Sequence, residues 1–242
     1  MNLKLYESIS NRIARGVTIQ RSLCFYNPQQ VYDGLMRNKI IKNWHSFMIK
    51  NYEPPKKDFL LIYPCTTIKP YDLSRSYKQL YHYLEMLKEK RNNIQVMTIS
   101  EPFGLVPEEY YSNFKWYDCP GLFQWWCNKH GQKYDRHYLD KSIELLADNV
   151  GLFLKKVQER HYYKKIIGFV RTYSSNLDQK YDHTHRRILE LAVKRYKIEM
   201  EILPRKNEVK DLVDKKGKFA WDMYGVAHPT MLNRLIKKLE NC

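Results

Sequence analysis

A cysteine, a lysine, a tyrosine and a serine crowd into one stretch, Pro64-Cys65-Thr66-Thr67-Ile68-Lys69-Pro70-Tyr71-Asp72-Leu73-Ser74. Cys65 comes directly after the apolar run Phe59–Pro64 and ahead of a helical pattern. Its sulfur is therefore expected at the carboxyl end of a strand, facing a helix N-terminus and a nearby lysine, surroundings that favour a reactive thiolate. Cys65 is a candidate nucleophile; the competing reading is a small buried hydrophobe, which is how most lone cysteines behave. Lys69 is suited to holding a phosphate or carboxylate, or to stabilising developing negative charge. Tyr71 and Ser74 either orient a ligand or simply pack and cap.

Further candidates stand beyond other strand-like runs. Ser100 and Gly104 follow the run Ile94–Ile99, Pro107 lies a few residues on, and Tyr117-Asp118 ends a short extended stretch. Arg171 ends a third run and is a candidate for binding phosphate or carboxylate, with a surface salt bridge as the alternative. Asp182, His183 and His185 precede a helix, where capping by Asp182 is favoured over a catalytic set. Cys119, Cys127 and His130 lack the closely spaced pairs of a zinc site, so no metal is expected.

The elements that must position these residues alternate. Phe59–Pro64 is continuously apolar, as in a strand buried on both faces. From Ser74 to Arg91, Tyr77, Leu80, Tyr81, Leu84 and Leu87 fall three and four apart, a helical stripe with Ser74 as its N-cap. Ile94–Ile99 returns to strand, and 102–121 reads as loop and short helix with a short strand at Trp116–Cys119. Leu139 to Val157 marks the longest helix, Lys165–Thr172 a third buried strand, Thr184–Tyr196 a helix, and Ile198–Leu203 an edge strand alternating apolar residues with Glu. Strand and helix in alternation predict an α/β fold with a mostly parallel sheet covered on both faces. Ligands then bind beyond the carboxyl ends of the strands, which gives weight to residues just after Tyr63, Ile99, Tyr117 and Thr172. Gln29–Lys50 and Met231–Glu240 read as added helices, dividing the chain into a basic extension 1–57, a core 58–204 and a second basic extension 205–242 packed on the core.

The chain has 242 residues with 42 Lys+Arg against 26 Asp+Glu, a formal charge of +16. With 43% hydrophobic residues it can build a core, which excludes wholesale disorder. Residues 1–57 hold 10 basic and 3 acidic residues and 205–242 hold 9 and 5, so most of the excess lies in the flanks. That distribution suits an enzyme that binds a polyanion such as nucleic acid, and 20 tyrosines offer stacking faces for bases. A solvated lysine-rich surface is the alternative. Five scattered cysteines argue for reduced thiols in an intracellular setting. No apolar run reaches membrane-spanning length, and Lys4, Arg12 and Arg15 interrupt the N-terminal stretch, so neither export nor membrane insertion is expected.

PCTTIKPYDLS resembles the Pro-Cys, Lys-Pro-Tyr, Ser signature of the archaeosine synthase core domain, a relative of the archaeal tRNA-guanine transglycosylases. Ser100-Glu101-Pro102-Phe103-Gly104-Leu105-Val106-Pro107-Glu108 is similar to that domain's Ser-Pro-Leu-Gly-Leu-Val-Pro-Arg-Glu loop, with Glu101 as an extra residue. Tyr117-Asp118-Cys119-Pro120 is similar to its Tyr-Asp-Ile-Pro stretch. The resemblance spans about Phe59 to Pro204 and implies a fold like that of uracil-DNA glycosylases. It departs at Tyr77, where the signature has His.

That resemblance implies a tRNA-modifying transferase that joins the side-chain amine of lysine to the nitrile of 7-cyano-7-deazaguanine in tRNA. It needs no cofactor, works in the cytoplasm of an archaeon or of a virus-infected host, and is helped by a separate transglycosylase or lyase subunit. Cys65 would attack the nitrile carbon, since a thioimidate is activated toward an amine. Lys69 would stabilise negative charge and Asp118 would accept hydrogen bonds from the base edge. Pro64, Tyr71, Ser74, Tyr77, Ser100, Gly104, Pro107, Tyr117 and Arg171 would line the substrate site. Two alternatives stay open: base exchange on tRNA or DNA with a carboxylate nucleophile, and a non-catalytic tRNA-binding module.

Overall fold

The computed structural model describes residues 20–114, 117–174 and 183–241. Five strands form one sheet: β1 (Lys57–Pro64), β2 (Ile94–Ser100), β3 (Gly104–Pro107), β4 (Tyr163–Phe169) and β5 (Met200–Leu203), in the order β3-β2-β1-β4-β5. β1 pairs in parallel with β2 and β4, and β4 with β5, while β3 runs antiparallel to β2. Leu60, Leu61, Ile62 and Tyr63 are all buried, so the central strand is covered on both faces, which is why its sequence is a continuous apolar run. The fold is α/β with a mostly parallel sheet.

The helices are α1 (Pro28–Arg37), α2 (Lys39–Lys50), α3 (Arg75–Glu85), α4 (Gln124–Lys129), α5 (Arg136–Glu159), α6 (Thr184–Tyr196), α7 (Lys206–Lys216), α8 (Lys218–Tyr224) and α9 (Pro229–Glu240). α1, α2 and α6 pack on α5, and α3 packs on α9. The α5–α6 contact is close because Gly151 leaves room for the Tyr196 ring: a Cβ there would meet Tyr196 Cδ2 at 2.1 Å. The core is continuous along the chain. Val31, Ile41 and Met48 from before β1, and Val209, Leu212, Trp221 and Leu235 from after β5, belong to the same buried cluster as the strands.

Three expectations need correction. The stretch expected as a strand at Trp116–Cys119 is not a sheet strand: Trp116 lies outside the described residues, and Asp118 makes an isolated bridge to Cys24. Its backbone is taken up by the N-terminal segment, with Asp118 N donating to Leu23 O at 3.1 Å and Phe25 N donating to Asp118 O at 2.9 Å. The fourth strand of the core is instead β3, inside a stretch expected as loop; Gly104, at φ +71°, turns the chain back so that it pairs with Ser100. The helix expected over Ser74–Arg91 ends at Glu85, and a 3-10 segment, Lys88–Asn93, completes the approach to β2.

This hairpin is held from outside. Trp44 Nε1 donates to Leu105 O at 3.2 Å, and His45 Nε2 lies 3.0 Å from Pro102 O. Burial lowers the His45 pKa to about 4, so the ring is neutral and donates through Nε2. A Cβ on Gly104 would meet Val150 Cγ2 at an ordinary 3.5 Å, so a substitution there is opposed by backbone conformation and not by space. Gly104→Ala is expected to cost about 1–2 kcal/mol in urea denaturation, the usual penalty of a left-handed non-glycine residue, with the far-ultraviolet circular dichroism retained.

Candidate active site

Strand register decides what meets at the carboxyl edge of the sheet. Pro64 is aligned with Ile99, and Cys65 N donates to Ile99 O at 3.0 Å, so the residues after β1 and after β2 emerge side by side. β4 flanks β1 on the other side, so the direction of strand order reverses at β1, the switch point at which open α/β sheets place their ligand crevice. The N-terminus of α6 closes it. Arg186 fixes this helix end by donating to Thr172 O at 2.7 Å, just past β4.

Three side chains converge in the crevice. Cys65 Sγ lies 3.6 Å from His185 Nε2, and the same nitrogen lies 2.9 Å from Glu101 Oε2. Thr184 donates its hydroxyl to the other Glu101 oxygen, Oε1. Glu101 and His185 are 2% and 1% exposed, whereas Cys65 is half-buried and forms the side of the cluster nearest solvent. Burial by itself would raise the Glu101 carboxyl and lower the His185 imidazole; the attraction and hydrogen bond between them reverse both shifts. The carboxyl is held below its usual range, the imidazole above, and Cys65 adds to the upward shift of His185. The pair is an ion pair, with a thiol touching the charged imidazole.

The neighbouring groups are tuned differently. His183, whose ring centroid is 5.3 Å from that of His185, is pushed down to about 3 by burial and by the charge on His185, and stays neutral. Cys119 is buried, and burial together with the negative surroundings of Glu101, Asp118 and Cys65 raises its pKa well above the usual thiol value. Cys119 is thus held as a neutral thiol near the half-buried Cys65. Lys69 is buried, with Nζ 4.4 Å from the centre of the Tyr117 ring. The Tyr117 hydroxyl is shared with those of Tyr71 and Ser100. Burial raises both phenols, so this network is neutral. Tyr117 also lines a cavity of about 390 Å³ walled by Trp44, Phe47, Phe103, Tyr110 and Phe114.

The residues singled out from sequence divide accordingly. Cys65, Lys69, Tyr71 and Ser100 lie at the carboxyl edge of β1 and β2, Tyr117 reaches them through its ring and hydroxyl, Asp118 lies on the segment bridged to Cys24, and Pro64 ends β1. Ser74 caps α3, accepting from Tyr77 N at 3.2 Å. The Tyr77 hydroxyl is fully buried against Thr98, which in turn donates to Tyr111 at 2.8 Å. Gly104 turns the hairpin, and Pro107 pairs with Met97, roughly 10 Å back along β2 from Ser100. Arg171 donates to the carbonyls of Trp221 and Asp222, tying α8 to the end of β4. Asp182 lies outside the described residues.

Two residues of the cluster stand outside the site assigned from sequence, Glu101 altogether and His185 as part of a disfavoured catalytic set with Asp182 and His183. Glu101 looked like an extra residue within a motif, although its place after a strand end met the ranking rule for parallel sheets. His185 was set beside a helix cap, and nothing in its spacing links it to Cys65, 120 positions away.

Fold and crevice define an α/β domain with a thiol, an imidazolium and a carboxylate at its strand switch point. Residues 41–201 match the family described as a domain of unknown function (DUF5591), and the chain belongs to that family, an archaeosine synthase-related domain. Relatives include archaeosine synthase subunit alpha of Thermococcus kodakarensis, 27% identical over 132 residues, covering 53% of this chain and 21% of that protein. The corresponding subunit of Thermoplasma acidophilum is 24% identical over 147 residues, covering 60% and 25%. Archaeosine synthase of Methanocaldococcus jannaschii is 27% identical over 112 residues, covering 46% and 16%. The matches thus span a quarter or less of these relatives. Among solved structures, AF0587, a protein of unknown function, overlays with a TM-score of 0.45 at 17% identity, covering 81% of this chain and 49% of that one.

The pair has a pH signature. His185, raised in the folded state, contributes stability that is fully present below its unfolded pKa of about 6.5 and is lost as pH rises through the folded value. Glu101, depressed, contributes stability present above about 4.3 and lost as pH falls through its folded value. Urea denaturation between pH 6 and 9 should therefore show wild-type stability falling more steeply than that of Glu101→Gln/His185→Gln, in which neither group titrates. Equal slopes would mean that the pair is not ionised.

Proposed function

We propose that this chain is a tRNA-modifying transferase domain of the archaeosine synthase type, with Cys65 as nucleophile and His185 as the group that gives and takes the proton. The observation that carries the reading is the contact of Cys65 Sγ with an imidazole that Glu101 keeps charged. An imidazolium beside a thiol favours the thiolate. The names of the curated relatives, archaeosine synthase and its subunit alpha, support a 7-deazaguanine in tRNA as substrate.

In this reading the thiolate adds to the nitrile carbon of 7-cyano-7-deazaguanine. A carbon–sulfur bond forms, one π bond of the nitrile breaks, and its electron pair on nitrogen takes a proton from His185. The product is a thioimidate. The side-chain amine of lysine then adds to the same carbon, the carbon–sulfur bond breaks with return of the thiolate, and the amine's surplus proton passes to His185. The amidine leaves with protons balanced, and no redox partner is needed. Lys69 and Asp118 are both buried beside the site and would hold charge and base edge. Glu101 positions His185 and favours its charged form before the first step and after the second. The basic flanks would hold the tRNA backbone.

Incubation with lysine and tRNA bearing the nitrile base, followed by mass spectrometry of nucleosides, should show a gain equal to lysine. Cys65→Ala should reduce this to the uncatalysed level, and His185→Gln should slow it about 10²–10⁴-fold. Exchange of the base without a lysine gain, retained in Cys65→Ala, would point to base exchange instead. Salt-sensitive tRNA binding without turnover would point to a binding module.

A further inference from the structure

We infer that Cys65 Sγ, one carboxylate oxygen of Glu101 and Nε2 of His185 also form a three-ligand site for a divalent cation of the Zn²⁺ type, which captures the thiolate and silences it. The inference deepens the proposed reaction by adding a regulator of its nucleophile. Metal binding itself does not depend on that reaction.

Among the described residues, these three side chains are the group whose ligand atoms all lie within 4.8 Å of one another. Thiolate, imidazole and carboxylate are the donors that Zn²⁺ takes, and three protein ligands leave a fourth position open for water or another small ligand. The spacing fits. With Zn–S about 2.3 Å and Zn–N about 2.0–2.1 Å, a tetrahedral angle separates sulfur from nitrogen by roughly 3.6 Å. Cys65 Sγ and His185 Nε2 are 3.6 Å apart. Glu101 Oε2 and His185 Nε2, at 2.9 Å, would need to open by roughly 0.4 Å, within reach of a carboxylate rotation.

The surroundings favour capture of a dication. Binding displaces the proton from His185 Nε2 to solvent, after which thiolate and carboxylate together bring two negative charges to a largely buried cluster, and a divalent ion neutralises both. Thr184 already holds Glu101 Oε1, which leaves Oε2 turned toward the other donors, the orienting task of groups behind metal ligands. His185 Nδ1 is buried without a hydrogen-bond partner among the described residues, so Nε2 is the nitrogen aimed at the cluster. Cys65, the half-buried member, gives the ion its way in. A sulfur lone pair committed to a metal cannot attack carbon, so metal and nitrile exclude each other.

The test is titration of the full chain, freed of metal by chelation, with Co²⁺ and Zn²⁺ in the absence of tRNA. One equivalent of Co²⁺ should produce the sulfur-to-cobalt charge-transfer absorption of a thiolate ligand, absent in Cys65→Ser. Thr184→Ala should weaken Zn²⁺ binding about 10–100-fold. Alkylation of the wild-type protein avoids any folding defect of the variants: Zn²⁺ should slow modification of Cys65 by iodoacetamide while leaving Cys24 unaffected, read by peptide mass spectrometry. No thiolate–cobalt band, a band that survives in Cys65→Ser, or equal alkylation of Cys65 with and without Zn²⁺ would overturn the inference. A transferase assay run alongside separates the two readings, since metal binding without turnover removes the proposed reaction and leaves the site standing.

Discussion

The ion pair of Glu101 and His185 is the constraint around which the carboxyl edge of this sheet is built. Removing two charges from water costs several kcal/mol per ion, and their attraction offsets this only when geometry is close and the remaining valences are met. Here Nε2 faces Oε2 at 2.9 Å and Thr184 satisfies Oε1. Such a pair is weak evidence of stability, because a well-packed apolar replacement is often as good. Its consequence lies in chemistry: it keeps a buried imidazole charged against a half-buried sulfur.

That requirement explains several features that have no direct role in the crevice. The left-handed Gly104 closes the hairpin that carries Glu101, and α2 grips the same hairpin through Trp44 and His45. Arg186 pins the start of α6, which carries His185, to the chain beyond β4. Arg171 ties the C-terminal helices to the same edge. Parts of the chain well outside the strands thus restrain the three residues that converge.

Around the charged pair the protein keeps four neighbouring groups neutral. His183 is driven down by burial and by its charged neighbour, Cys119 is driven up, and the phenols of Tyr71 and Tyr117 are driven up. Two histidines and two cysteines lie near one another, yet one of each is arranged for reactivity. The same convergence of sulfur, oxygen and nitrogen that suits proton transfer also suits a metal ion, so thiolate chemistry and metal capture compete for one set of atoms.

Sequence alone determined the α/β class, because apolar runs and helical stripes are local patterns that burial on two faces or one imposes directly. It also marked Cys65, since position after a strand end is a one-dimensional property. It misjudged β3, where four residues between a turn and a 3-10 segment carry too short a pattern to read, and it set aside Glu101 as an extra residue in a motif. The partnership of Cys65 with His185 was decided only by the tertiary structure: strand order brings the ends of β1 and β2 and the start of α6 to one edge, and no local pattern encodes a contact between side chains 120 positions apart.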